Sequence, residues 1–218
     1  MLELGLKIFM SYIIGSLNGA LLIGKFVGGV DIRTQGSGNA GGTNALRTQG
    51  KLFALFVMLV DIGKGAVPVL FLPGMIVFGV GYDPDVSRIW LTYACGAAVI
   101  FGHCFPVWFD FSGGKGAATY LGVLASAAPA TVLPTALVWM GVLLLSGYVG
   151  LATVIAVLFV PLLLVAIDLD KHLDLILFTV SAALFIVYTH RGNLRKLFAG
   201  TASRDIGFSL WVKLMRQA

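Results

Sequence analysis

Long apolar windows recur along the chain, at Leu4 to Gly24, Leu52 to Val80, Ile89 to Phe109, Leu151 to Ile167 and Leu175 to Thr189. A helix needs about 20 apolar residues to cross about 30 Å of hydrocarbon, so each window predicts a membrane-spanning helix. A further apolar stretch, Ala117 to Leu145, is interrupted by Pro129 and Pro134. Proline removes a helical hydrogen bond and breaks or kinks the helix, so this stretch is either one long span or a hairpin of two short ones.

Charge between the windows decides. A hairpin gives seven crossings and gathers Lys25, Arg33, Arg47, Lys51, Lys115, Arg191, Arg195, Lys196, Arg204, Lys213 and Arg216 on one side. Glu3, Asp83, Asp85, Asp168, Asp170 and Asp174 then fall on the other. Lys and Arg concentrate in cytoplasmic loops, whereas a single span would split the basic loop and the basic tail between two faces. The expectation is an all-α, polytopic integral membrane protein with seven transmembrane helices, its N-terminus outside and its C-terminus cytoplasmic. Each half of the hairpin is short, which calls for tilt, a locally thin bilayer or partial insertion. Residues 1–218 read as a single membrane-embedded domain, with 205–218 a poorly ordered or interfacial cytoplasmic tail.

Composition agrees: 58% of the residues are hydrophobic and 11% charged, against roughly 25% charged in soluble domains. The net charge of +5 comes from Lys and Arg confined to short stretches between apolar runs, so membrane lipid, and no nucleic acid, is the expected partner. Cys95 and Cys104 lack metal-ligand spacing and read as small buried hydrophobes. No small-residue cleavage pattern follows a basic head, so the first segment is expected to stay.

Three polar clusters carry the candidate chemistry. Between the first two windows lies Asp31-Ile-Arg-Thr-Gln-Gly-Ser-Gly-Asn-Ala-Gly-Gly-Thr-Asn-Ala-Leu-Arg47. Its literal G-x-G-x-x-G at Gly36 to Gly41 lacks the βαβ unit that a dinucleotide site needs. The physics of the loop is still that of an anion nest. Gly36, Gly38, Gly41 and Gly42 free backbone N–H groups to converge on an anion, Ser37, Asn39, Thr43 and Asn44 add donors, and Arg47 adds charge.

The second cluster is Gly102-His-Cys-Phe-Pro106 followed by Phe111-Ser-Gly-Gly-Lys-Gly-Ala-Ala-Thr119. Lys115 stands among Gly113, Gly114 and Gly116, so an ammonium and backbone donors can meet on one ligand oxygen. A P-loop is excluded, because its earlier Gly is missing and Gly116 replaces the magnesium-binding Ser or Thr. The third cluster, His190-Arg-Gly-Asn-Leu-Arg-Lys-Leu197, places His190 and Asn193 three apart, on one helical face. Asp61 and Lys64 share that spacing inside the second window and are expected to pair and brace the site. Histidines at 103, 172 and 190 make no metal motif, no cofactor is expected, and no G-x-S-x-G elbow is present.

Taken in order, G-S-G-N-x-G-x-T-N-x-x-R at Gly36 to Arg47, G-H-x-F-P with G-G-K-G at Gly102 to Gly116, and H-R-x-N-L at His190 to Leu194 resemble the bacterial acyl-phosphate:glycerol-3-phosphate acyltransferase family. The resemblance covers nearly the whole chain. It implies a multi-pass protein of the bacterial cell (inner) membrane with its site on the cytoplasmic face. It also implies acyl transfer from acyl phosphate to the sn-1 hydroxyl of glycerol 3-phosphate, releasing inorganic phosphate and lysophosphatidic acid. His190, Lys115 and Asn193 are then the catalytic candidates, and His103 joins the glycines, Ser37, Asn39, Thr43, Asn44 and Arg47 as substrate-binding. The proton acceptor is a substrate phosphate, with His190 as the alternative. The chain departs from the family at Ser146-Gly-Tyr-Val-Gly150, where a basic residue is common, and at Ala202, where a glutamate is common.

Two other classes fit part of the pattern. A transporter for phosphate esters would use the same loops as a filter, but needs broken helices meeting at the midplane. An acyl-CoA-dependent enzyme with an H-x-x-x-x-D motif needs an aspartate that no histidine here has at that spacing.

Overall fold

The structure, a computed structural model, describes residues 1–204, excluding the side chains of 168–172. It is all-α, with no strand among the described residues. The helices are α1 (Leu2–Gly15), α2 (Gly19–Phe26), α3 (Gly42–Gln49), α4 (Lys51–Phe71), α5 (Arg88–Cys104), α6 (Ala117–Ala127), α7 (Val132–Ser146), α8 (Val149–Thr189) and α9 (Arg191–Phe198). The chain divides into two compact units, Met1–Pro129 and Ala130–Ala218.

Four helical segments are long and apolar enough to cross a membrane, and six if each of two bent pairs makes one crossing. A seventh crossing would fall to α6, whose 11 residues are fewer than a full span uses. The expected break near Pro129 and Pro134 is real, since α6 and α7 are separate helices. Pro134 itself sits in the first turn of α7, where a missing N–H is no loss.

Four windows change shape. The first is two helices, α1 and α2, bent by 49°. The second ends at Phe71, with Pro73 following the C-cap Leu72 because proline cannot continue the helix. The last two are joined in one helical run, α8, where the sequence pattern separates them by an acidic turn. Asp168 and Asp170 of that turn, together with His172, lie outside the described side chains, and the expected tail 205–218 lies outside the described residues.

In the first unit, glycines let helix backbones touch. A Cβ at Gly15 would overlap the Val99 carbonyl of α5, and one at Gly65 would overlap the Thr119 carbonyl of α6. Small residues at such contacts are how helices pack where lipid removes the hydrophobic drive. At one end of the unit a small core of Ala20, Leu21, Ile32, Ala40, Ala45, Phe53, Ala54, Val57 and Phe109 seats the polar loops. At the far end of α5, Arg88 grips Glu3 through two bonds of 2.6 and 2.9 Å, and Lys7 reaches Glu3 at 2.7 Å and the Pro73 carbonyl at 3.2 Å. Glu3 thus pairs with two cations, and it also accepts from the Asp83 N–H at 2.9 Å.

In the second unit α7 packs along α8, and Leu133, Leu137, Met140 and Leu145 of α7 stay exposed, an apolar surface suited to lipid. Cys95 and Cys104 are free and buried, as their spacing implies.

Candidate active site

The site of the first unit starts from the break between α1 and α2. A broken helix exposes backbone groups that a membrane interior cannot satisfy, so partners must come from the protein. Asn18 Oδ1 accepts from the Leu21 N–H at 3.2 Å and caps α2. Lys64 Nζ donates to the Leu17 carbonyl at 3.0 Å, and the Gly19 N–H donates to Asp61 Oδ1 at 3.0 Å. Asp61 and Lys64, both buried, pair at 2.9 Å as expected. A buried ion pair needs further hydrogen bonds to hold, and the broken span supplies one to each partner, while Asp61 Oδ2 stays buried without a hydrogen bond.

The same break fastens both glycine loops. Asn18 Nδ2 donates to the Ala40 carbonyl at 3.2 Å, and the Val107 N–H donates to Ser16 Oγ at 3.3 Å. A second tie joins the loops directly. Arg33 pairs with Asp31 at 2.8 Å and donates to the carbonyls of Phe109 at 2.9 Å and Ser112 at 3.2 Å. The guanidinium beside Asp31 holds its carboxyl below the usual carboxylate range.

The first loop is shaped from inside by Asn44. Its Oδ1 accepts from the Ser37 N–H at 2.9 Å, and its Nδ2 donates to the carbonyls of Ile32 at 3.1 Å and Gln35 at 3.0 Å. Gly36 bends the loop over this amide with φ of 56°, where a Cβ would overlap Asn44 Oδ1. Gly36, Ser37 and Gly38 are left exposed at the surface, and Arg47 is exposed on the last turn of α3.

The second loop doubles back on the end of α5. Gly113 and Gly114 donate to the carbonyls of Cys104 and His103, each at 3.1 Å. A Cβ on Gly114 would overlap both the His103 imidazole and the Ala40 carbonyl. Gly114 therefore brings the start of α6, capped by Gly116, beside the start of α3, capped by Gly41. Neither cap has a side chain to satisfy the first N–H groups of its helix. Gly114 against Ala40 puts the approaches to two helix N-termini, each carrying partial positive charge, next to each other, and Lys115 stands half-buried just before α6. Such an arrangement favours phosphate. His103, 3% exposed, lies beneath it with Nδ1 3.4 Å from Asp61 Oδ1.

In the second unit, His190 ends α8, and the chain bends by 58° into α9. The His190 carbonyl accepts from the N–H groups of Asn193 at 2.8 Å and Leu194 at 3.0 Å. His190 Nδ1 lies 2.8 Å from the Ile186 carbonyl. A carbonyl only accepts, so Nδ1 carries the proton and, in the neutral ring, Nε2 carries the lone pair. Asn193 packs its amide against Gly150 in the first turn of α8, where a Cβ would press on Nδ2.

The structure therefore brings Gly36 to Arg47 and Gly102 to Gly116 together in the first unit, and His190 and Asn193 onto one bend in the second. Four residues that position these loops were not legible as such. In the sequence Asn18 and Ser16 are two polar residues inside an apolar window, Arg33 is one of several loop charges, and Gly150 is a departure from the family pattern.

Comparison with known proteins agrees with the sequence motifs. The family model described as glycerol-3-phosphate acyltransferase matches residues 6–200. A glycerol-3-phosphate acyltransferase of Chlorobaculum tepidum is 35% identical, with 90% of this chain and 94% of the relative covered. Two crystal structures of PlsY (YgiH), an integral membrane glycerol 3-phosphate acyltransferase, each share 33% identity over 92% of this chain and 94% of theirs. The glycerol 3-phosphate form superposes with a TM-score of 0.80 and the lysophosphatidic acid form with 0.78. With ordered motifs, an all-helical membrane fold and relatives matched over nearly their whole length, this chain belongs to the glycerol-3-phosphate acyltransferase family.

Proposed function

We propose that the protein transfers a fatty acyl group from acyl phosphate to the sn-1 hydroxyl of glycerol 3-phosphate at the cytoplasmic face of a bacterial cell membrane. The observation that carries this reading is the apposition of the α3 and α6 starts at Gly114 and Ala40, a cradle for phosphoryl oxygens. Family membership supports the acceptor, and the loop chemistry supports the donor.

Acyl phosphate is already activated, because phosphate leaves well, so no protein nucleophile is needed. The sn-1 oxygen attacks the acyl carbonyl carbon, a tetrahedral centre forms, and the carbon–oxygen bond to phosphate breaks. Lysophosphatidic acid and inorganic phosphate result, and the hydroxyl proton goes to the departing phosphate or to His190 Nε2. Holding the two substrates together lowers the barrier by about 7–11 kcal/mol. Ser37, Asn39, Thr43 and the N–H groups of Gly36 and Gly116 hold phosphoryl oxygens, with Lys115 and Arg47 supplying charge, while Gly38, Gly41, Gly113 and Gly114, whose N–H groups donate to carbonyls of the loops themselves, shape the cradle. Donors fixed in advance meet the charge that develops in the transition state. His103 and Asn44 serve differently, as the supports that keep the two loops in register. Both amide hydrogens of Asn44 go to backbone carbonyls, which makes it a positioning residue here. His190 and Asn193 are assigned to the acceptor on the strength of the third motif.

The test is a donor comparison. Purified protein with labelled glycerol 3-phosphate, given acyl phosphate, acyl-CoA or acyl carrier protein in parallel, should yield lysophosphatidic acid from acyl phosphate. Conversion with acyl-CoA and none with acyl phosphate would overturn the donor.

A further inference from the structure

No lysine or arginine occurs between Lys115 and Lys171, and no aspartate or glutamate between Lys115 and Asp168. The α7–α8 turn therefore has no charge of its own. It acquires one from far along the chain: Arg204 Nε donates to the Tyr148 hydroxyl at 2.8 Å, and its guanidinium lies over the Tyr148 ring, 5.3 Å from the centroid. Tyr148 is the residue before the first turn of α8, and two positions on, Gly150 meets the amide of Asn193.

This pairing engages little of the arginine's donor capacity. A guanidinium makes its strongest contacts as a two-pronged fork on a carboxylate or a phosphate. Here the partner is a neutral phenol that engages Nε alone, and neither Nη group has a protein acceptor among the described residues. Stacking on an aromatic face fixes the planar fork without cancelling its charge. Arg204 is exposed, so its fork is accessible to an ionic ligand.

We infer that Arg204 is a specificity-determining residue that takes a substrate phosphoryl group through its two Nη groups, with Tyr148 as the residue that positions it. The inference rests on the acyl-transfer reading for the identity of the ligand, a phosphate monoester or an acyl phosphate. Both present the same oxygens, and the experiment separates them.

Titration calorimetry of the full chain in detergent would use two probes, glycerol 3-phosphate and a stable acyl phosphonate. Arg204→Ala and Arg204→Gln should weaken one of them about tenfold or more, the loss expected of a charge-assisted pair. Arg204→Lys should lose less than Arg204→Ala, and Tyr148→Phe should fall between wild type and Arg204→Ala. The probe that weakens names the phosphoryl group. Glutamine keeps an amide donor for Tyr148 but no charge, so wild-type affinity for both probes in Arg204→Gln would overturn the inference and leave only a tether. Because binding is read without turnover, a wild type that binds normally yet forms no lysophosphatidic acid from any donor would sink the acyl-transfer reading separately.

Discussion

Asn18 Nδ2 donates to the Ala40 carbonyl at 3.2 Å across 22 positions of sequence, so the break in the first span holds the residue just ahead of the α3 cap. The same side chain caps α2, which makes one amide answerable for two elements. Asn18→Ala should lower stability by about 1–2 kcal/mol for the lost cap alone, read as a fall in thermal midpoint. Asn18→Asp keeps the capping oxygen but loses the donor to Ala40. It should retain more stability than alanine while still raising the KM for a phosphate substrate.

Gly114→Ala is expected to be among the most damaging substitutions for activity. Its methyl group has no room between the His103 ring and the Ala40 carbonyl, so the α3 and α6 starts must move apart. A shift of about 1 Å in a positioning site costs on the order of a hundredfold in rate. Steady-state kinetics should show kcat/KM falling by about that much. The same change at Gly63, where an added Cβ meets nothing, should be nearly neutral.

His190 offers a pH test. With the Ile186 carbonyl holding the proton on Nδ1, Nε2 is the nitrogen able to accept the hydroxyl proton. If it does so, His190→Asn should lower kcat by roughly 10²–10⁴-fold and abolish the acid limb of the kcat profile. If a substrate phosphate is the acceptor, the limb persists in the variant.

The Asp31–Arg33 tie predicts the acid stability of the loops. Asp31 has a lowered pKa in the folded protein, so its contribution is complete above the ordinary carboxylate value of about 4 and is lost as pH falls through the folded value. Thermal midpoints measured from pH 5 downward should show wild type above Asp31→Asn at pH 5. The gap should close below about pH 4. A gap that stayed constant would show that the pair contributes nothing.

Much of this was legible in the sequence, and the misses share a cause. The apolar windows locate α4, α5 and both apolar stretches of α8 because length and hydropathy alone set a membrane helix. The loops were recognisable because glycines interleaved with Ser, Asn, Thr and Arg have few other uses. The break at Ser16–Asn18 was hidden because its partners, Asp61 and Lys64, lie more than 40 positions away. Asn44 illustrates the limit at the site: its type says donor, but only the folded loop shows both amide hydrogens turned inward. Tyr148 and Arg204 are likewise joined only in three dimensions.

The central claim is that phosphoryl oxygens are gripped where α3 and α6 begin. An experimental structure of this protein with glycerol 3-phosphate or an acyl phosphonate bound tests it most directly. The account predicts phosphoryl oxygens about 3 Å from backbone N–H groups at residues 42–44 or 117–119 and from Lys115 Nζ. Phosphoryl groups bound away from both helix starts, with these N–H groups facing water, would contradict it.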